Sequence, residues 1–345
     1  MKPTRIVIDS TSRILYSAFY IKGLSDVFGR TNVSFGRKYF KELDRRKEEY
    51  SFEHFFAFVL ISEEKITRFV IDYCDPPDIS RQAYDWCDIY AKINYNKEVT
   101  DLNKLIVIPP AFGIKIWNLR QTLFYCLRNI LTSSFALPTH RSTFIKDYYQ
   151  QYKREPIESY LNDITEKSEN KNAYIFMIGT LWNESDYAEN TNNERKKFIE
   201  ACRKTDNCKF EGGFYATPNH LKFEEFKSFV FSRPYSTSEY IKKTKLSNIV
   251  FNTPAVHNCH GWKLAEFLAM GKPIISTKLS YELPIDLTHG KNIHFVENAD
   301  EIESSIKSII DDQNYKNLLS KNAKTYFLQY MTPTAIIRSI TENAT

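Results

Sequence analysis

Apolar and polar positions alternate most regularly in the second half of the chain. Short apolar runs at 174–178, 208–211, 247–252 (SNIVFN), 273–276 (PIIS) and 293–296 (IHFV) read as strands. Between them, 192–204, 236–246, 261–270 and ADEIESSIKSIIDD at 299–312 space their apolar residues as helices. Strands alternating with helices across short Gly turns predict a parallel sheet covered on both faces, with ligands bound at the carboxyl ends of its strands. The first half carries strands at RIVID (5–9), FFAFVLIS (55–62), RFVIDY (68–73), CDIYAKINY (87–95) and LIVIPP (105–110), the last stopped by two prolines. STSRILYSAFYIKGL (10–24) is a helix or loop, 29–50 is basic and irregular, and IWNLRQTLFYCLRNIL (116–131) has helical spacing.

Residues 146–172 are highly charged and read as a surface helix ending in a linker, after which AYIFMIGTLW (173–182) starts afresh as a strand. The expected organisation is therefore a first domain over 1–170, a second over 171–325 and a C-terminal helix over 326–345. The tail leading into it is broken at Pro333, its apolar positions Leu318, Leu319, Tyr326, Phe327 and Tyr330 make one face, and it is expected to pack on the body, back across the first domain.

Length agrees: 345 residues is about twice the usual domain. No stretch is long and apolar enough to span a membrane, and MKPTRIVIDSTSR has no apolar signal core. The six cysteines form no CxxC pair and no dense disulfide framework, which points to a reduced, cytoplasmic compartment. A net charge of +5 does not call for nucleic acid, but it permits contact with phosphorylated ligands or an anionic membrane surface. Only ten residues are glycine, so each is expected to be positional, and six of them fall after residue 175.

The sharpest question lies in HNCHGWKLAEFLAMGKPIIST (257–277). Between Leu264 and Gly271 every residue is apolar or small except Glu266, and a buried carboxylate needs a partner. A ribose diol or a nearby Lys or Arg would serve. The helix N-terminus at Gly261 favours an anion such as a diphosphate, and Lys263 in the first turn, the wrong charge for a helix start, either points into solvent or sits beside such an anion. HNCH resembles a zinc cluster, but four consecutive loop residues do not build a tetrahedral site and no second cluster exists in the sequence.

These residues carry a resemblance. Strand, loop, Gly, helix with Glu, then LAMGKPIIST, is similar to the donor-site segment of group 1, family 4-like glycosyltransferases, over roughly 173–330. Those enzymes show E-x7-E before Gly-(Lys/Arg)-Pro; here Glu266 stands at the second acidic position and Asn258 at the first, a departure. The resemblance implies an α/β protein of the GT-B fold, two Rossmann-like domains facing across a cleft, the first acceptor-side and the second donor-binding. It implies transfer of a sugar from a UDP- or GDP-linked donor to an oligosaccharide or lipid-linked glycan, in capsule, exopolysaccharide or lipopolysaccharide synthesis. Neither metal nor cofactor is implied, and peripheral contact with the inner face of the cell membrane fits.

On this reading Glu266 binds the ribose, Gly261, Lys263 and Arg233 the diphosphate, while Gly179 and Gly213 form turns around the nucleotide. Asn258 and His257 lie at the donor sugar. Tyr20 and Gly23 face the acceptor. Arg195, Lys196 and Lys197 fall where an Arg/Lys pair contacts the diphosphate, without a residue-by-residue match. Asp9, Asp72, Asp75, Asp88 and His140 are open as general base. Two rivals remain: a non-catalytic sugar-nucleotide-binding scaffold, consistent with Asn258, and an NAD-type oxidoreductase, against which no GxGxxG follows any strand.

Overall fold

Arg5–Asp9 forms the first strand, β1, and every residue in it except Arg5 is buried. A strand buried on both faces belongs inside a sheet. Its neighbours are β2 (Val33–Gly36), parallel, and β3 (Phe55–Ile61), antiparallel. The sheet continues through β4 (Ile66–Asp72), β5 (Ile89–Lys92) and β6 (Leu105–Val107) in the order β2-β1-β3-β4-β5-β6. This computed structural model describes residues 4–43, 55–63, 65–96, 102–133, 136–137, 141–163, 172–183, 185–231 and 233–342.

The sheet departs from an all-parallel pattern at one strand. Only residues 62–65 join β3 to β4, with Ser62 N–H donating to the Lys65 carbonyl at 3.0 Å. A parallel pair needs a crossover of a dozen residues or more, so this short connection forces a hairpin. Around the sheet lie α1 (Ile14–Phe28), α2 (Arg81–Trp86), α3 (Leu119–Ser133) and α4 (Arg141–Lys153). Aromatic rings fill the interior; Phe58 and Phe69 stack at 4.7 Å between centroids.

In the second half β7 (Ala173–Thr180) pairs in parallel with β8 (Cys208–Tyr215). A second parallel sheet has the order β11-β10-β9, from β9 (Val250–Asn252), β10 (Ile274–Ser276) and β11 (His294–Phe295). Asn248 N–H donates to the Tyr174 carbonyl at 2.7 Å, tying the approach to β9 to β7. After a short helix, α5 (Ile157–Leu161), the connecting helices are α6 (Ser185–Lys204), α7 (Phe223–Phe226), α8 (Thr237–Leu246), α9 (Trp262–Ala269), α10 (Ile302–Asp311) and α11 (Gln313–Tyr326). Sequence explains their ends and faces. Ser236 and Glu239 form a reciprocal capping box that starts α8. Ile302, Ile306 and Ile309 bury one face of α10. Mixed α/β layering with parallel strands in this half is as the alternating pattern predicts. Among the described residues no helix is long and apolar enough to cross a membrane.

The chain divides into two compact units. Unit 1 is Met1–Ile157 with Glu282–Pro284 and Gln329–Thr345; unit 2 is Glu158–Tyr281 with Ile285–Leu328. The division falls inside the charged stretch, before the expected boundary at 170, and a pair of lysines accompanies it. Lys245 and Lys324 of unit 2 donate to the carbonyls of Asn162 and Leu161, holding the end of α5 to that unit. The expected linker at 164–171 lies outside the described residues.

Pro333 opens the last helix, α12 (Pro333–Glu342), because it carries no N–H to leave unpaired there. Residues 327–331 before it wind as a short π segment. Leu319, Tyr326 and Phe327 are buried, but Leu318 stays exposed, so the apolar face of this tail is narrower than its sequence suggests. Helix α12 packs against α1 at Gly23, where an added Cβ would lie 2.2 Å from the Pro333 carbonyl oxygen. We expect Gly23→Ala to force the two helices apart and cost about 1–3 kcal/mol, the usual range for overpacking, read as a lowered denaturant midpoint.

Candidate functional site

The carboxyl ends of β7 and β9 and the start of α9 enclose a cavity in unit 2, lined by Gly179, Thr180, Asn252, Thr253, Gly261 and Lys263. Trp182 and Trp262 form part of its wall, and Arg195 reaches it from α6. Arg195 is only 9% exposed. Its Nε donates to Thr253 Oγ1 at 3.0 Å and its Nη1 to the Thr180 carbonyl at 3.3 Å. Burial brings its pKa down to about 10, with Glu194 acting in the opposite direction. Thr277 Oγ1 donates to Glu194 at 3.3 Å, and burial raises the Glu194 carboxyl above its ordinary range.

Lys263 sits in the first turn of α9, half-buried at the cavity wall. Desolvation first, and then the charge of Arg195, pull its pKa down to about 7, against the pull of Glu266 one turn on. Two cations and the N-terminal end of a helix therefore converge on one cavity. That combination is chemically suited to an anion with oxygens to spare.

Glu266 is 6% exposed, and its partner is a tyrosine: Tyr240 of α8 donates to Oε2 at 2.6 Å. Burial and this carboxylate hold the Tyr240 phenol well above its ordinary pKa, so the proton stays on the tyrosine. Glu266 is not among the cavity-lining residues. Asn258 and His257 sit in the loop before α9, both with φ of +57°. His257 is exposed and its carbonyl accepts from Tyr281 Oη at 3.0 Å; neither residue lines the cavity. Left-handed backbone at two consecutive non-glycine residues is uncommon and concentrates at functional loops.

Four expected site residues are elsewhere. Arg233 is exposed, paired with Glu239 at 3.0 Å and lying 4.5 Å over the Tyr235 ring, because α8's capping box brings Glu239 beside it. Gly213 is inside β8 rather than in a turn; at φ +138°, an added Cβ would stand 2.1 Å from the Phe229 carbonyl oxygen. Tyr20 is 1% exposed, stacked on Phe56 and Tyr73, so it cannot face an acceptor. Gly23 serves the contact with α12.

Two of the suggested bases are counter-ions. Asp9 accepts from Thr11 N–H, Thr11 Oγ1 and Arg37 Nη1, and Asp72 pairs with buried Lys92 at 3.2 Å and accepts from Tyr90 at 2.5 Å. Asp75 and Asp88 are exposed, Asp88 capping Arg68 N–H at 2.8 Å, and His140 lies outside the described residues. Among the described residues no three His, Cys, Asp or Glu side chains cluster as metal ligands.

Of the three basic residues at the start of NERKKFIEAC, only Arg195 enters the cavity. Lys196 lies over the Phe226 and Phe229 rings, and Lys197 pairs on the surface with Asp300. A periodic signal singles Arg195 out. Thr191, Arg195, Phe198 and Cys202 recur at helical spacing, and all four are buried. Thr253 and Trp182, also at the cavity, carry no such signal.

No protein-family model and no curated protein matches the chain. Solved structures similar to it include the C-terminal domain of the group 1 glycosyltransferase LpcC from Francisella tularensis, at 12% identity and TM-score 0.37, over 49% of this chain and 95% of that one. Anabaena HepE in complex with UDP and glucose is similar over 79% of this chain and 70% of that one, at 13% identity and TM-score 0.47. A Listeria monocytogenes protein described as a UDP-N-acetylglucosamine 2-epimerase aligns over 76% of each chain, at 14% identity and TM-score 0.36.

Lys263 makes a measurable cost of this site. Folded, it titrates near 7; unfolded, at its ordinary 10.5. Between those values the unfolded chain holds more protons, so the penalty is full below about 7 and fades as pH rises to 10.5. Lys263→Met is expected to raise the Tm of the ligand-free protein at neutral pH, with the gain shrinking toward pH 10, as scanning calorimetry across that window would show.

Proposed function

We propose that unit 2 binds a nucleotide-diphosphate sugar and that the protein is a glycosyltransferase of GT-B type. The observation that carries this is the convergence of Arg195, Lys263 and the Gly261 end of α9 on one cavity at the carboxyl ends of β7 and β9. A diphosphate placed there meets two cations and the unpaired N–H groups of a helix start. It would restore the Lys263 proton that desolvation and Arg195 weaken. Glu266, held by Tyr240, acts in this reading as acceptor for a ribose hydroxyl. Charge developing on the leaving diphosphate is stabilised by the same groups, so catalysis is positioning and electrostatics. The donor is UDP- or GDP-linked. The acceptor is an oligosaccharide or lipid-linked glycan of a surface polysaccharide, reached by peripheral contact with a membrane. A binding protein without turnover is the second reading. Asn258 favours it, because an amide at that position has no charge to offer an oxocarbenium-like transition state.

Titration calorimetry with UDP, GDP, UMP and GMP tests the binding step. The diphosphates should bind more tightly than the monophosphates. Lys263→Ala should weaken diphosphate binding by about 1.5–3 kcal/mol, roughly ten- to 150-fold, the range for hydrogen bonds to charged groups. Absence of binding by either diphosphate would sink the proposal. Glu266 needs its own variant. Glu266→Gln should weaken nucleotide binding more than it lowers the ligand-free Tm; the reverse outcome makes Glu266 a structural partner of Tyr240. Release of free sugar, or transfer to an acceptor panel, separates the enzyme from the binding protein.

A further inference from the structure

Helix α3 is inside out. Its buried positions are Thr122, Cys126, Asn129 and Ser133, while Leu119, Leu123, Phe124, Leu127 and Leu131 are 51–70% exposed. At 3.6 residues per turn these five cover an arc of about 140° on the solvent side. Scattered surface leucines need no explanation, but a contiguous apolar stripe along a whole helix does. Helix α4 packs beside it, locked by Asn129 Nδ2 donating to Tyr148 Oη at 2.8 Å, and adds exposed Ile145 and Tyr149.

The exposed charges of the two helices have one sign. They carry exposed Arg120, Arg141, Lys146 and Lys153, with Arg128 half-buried and donating to the Phe35 carbonyl at 3.3 Å, and their single carboxylate, Asp147, is buried and paired with Arg13. We propose that the α3–α4 face docks on an anionic phospholipid bilayer, its leucines and Phe124 entering the boundary of the acyl chains and its basic residues meeting the headgroups. A second copy of the chain fits this face poorly. A two-fold contact sets a patch against itself, and here that opposes basic residues to basic residues with no exposed carboxylate on either helix. The inference deepens the membrane contact of the proposed function, and it rests on that reading only for its purpose, since no nucleotide contact enters it.

The test is co-sedimentation of the full chain with vesicles of phosphatidylglycerol and phosphatidylethanolamine, against vesicles of phosphatidylcholine alone. Binding is expected to the anionic vesicles and to weaken with added salt. Leu123→Glu with Leu127→Glu should lower binding at least about ten-fold, since each removes an exposed apolar side chain that would enter the acyl boundary and adds a charge of the wrong sign. Lys146→Glu with Lys153→Glu should lower it several-fold on anionic vesicles only. Neither pair should alter the thermal shift given by UDP or GDP, so loss of vesicle binding and failure of the nucleotide reading are separate results. Wild-type protein that ignores anionic vesicles, or leucine variants that bind as well as wild type, overturns the proposal. So does a concentration-dependent dimer in light scattering that the leucine variants abolish while vesicle binding is absent.

Discussion

Arg195 is the residue on which the site in unit 2 depends. A guanidinium so deep in the protein is costly unless its donors are met. Two of its five N–H donors are met, by Thr180 at the end of β7 and Thr253 just past β9, strands that belong to different sheets. One side chain thus joins the two strand ends that floor the cavity. It also places a fixed positive charge near Lys263, whose ammonium then loses stability as a cation. The neighbouring carboxylates, Glu194 beside Arg195 and Glu266 beside Lys263, oppose this charge from behind the cavity wall. Glu194 accepts from Thr277 and Glu266 from Tyr240, and neither lines the wall.

The same economy of charge organises unit 1. Asp9 and Asp72 end β1 and β4, where an acid would be well placed for chemistry. Each is instead surrounded by donors: Thr11 and Arg37 for one, Lys92, Tyr90 and the Cys74 N–H for the other. Each carboxylate is thus committed to partners inside unit 1.

Much of this was legible in the order of residues. Strands β7, β9 and β10 and helices α8 to α11 follow from apolar period and capping residues, because each is set by neighbours within a few positions. What failed was information carried by distant parts of the chain. Glu266 stood out as a buried acid, yet its partner Tyr240 comes from another helix, which no local pattern reveals. The scarcity of glycine marked Gly23 and Gly213 as positional, but the carbonyls they make room for, Pro333 and Phe229, lie far away or across a turn. Helix α3 shows the limit of periodicity most plainly. Its leucine spacing announces a helix with an apolar stripe and says nothing of whether protein covers that stripe.

Helix α12 belongs to unit 1 although the whole of unit 2 is made between it and α1. The groove beside Gly23 on α1 is therefore left open throughout synthesis of residues 158–328. Unit 2 is nearly continuous and its sheets close locally, so it can finish while its predecessor is still incomplete. Domains commonly fold in the order they leave the ribosome. Here the unit begun first receives its last helix only after the other unit has been made.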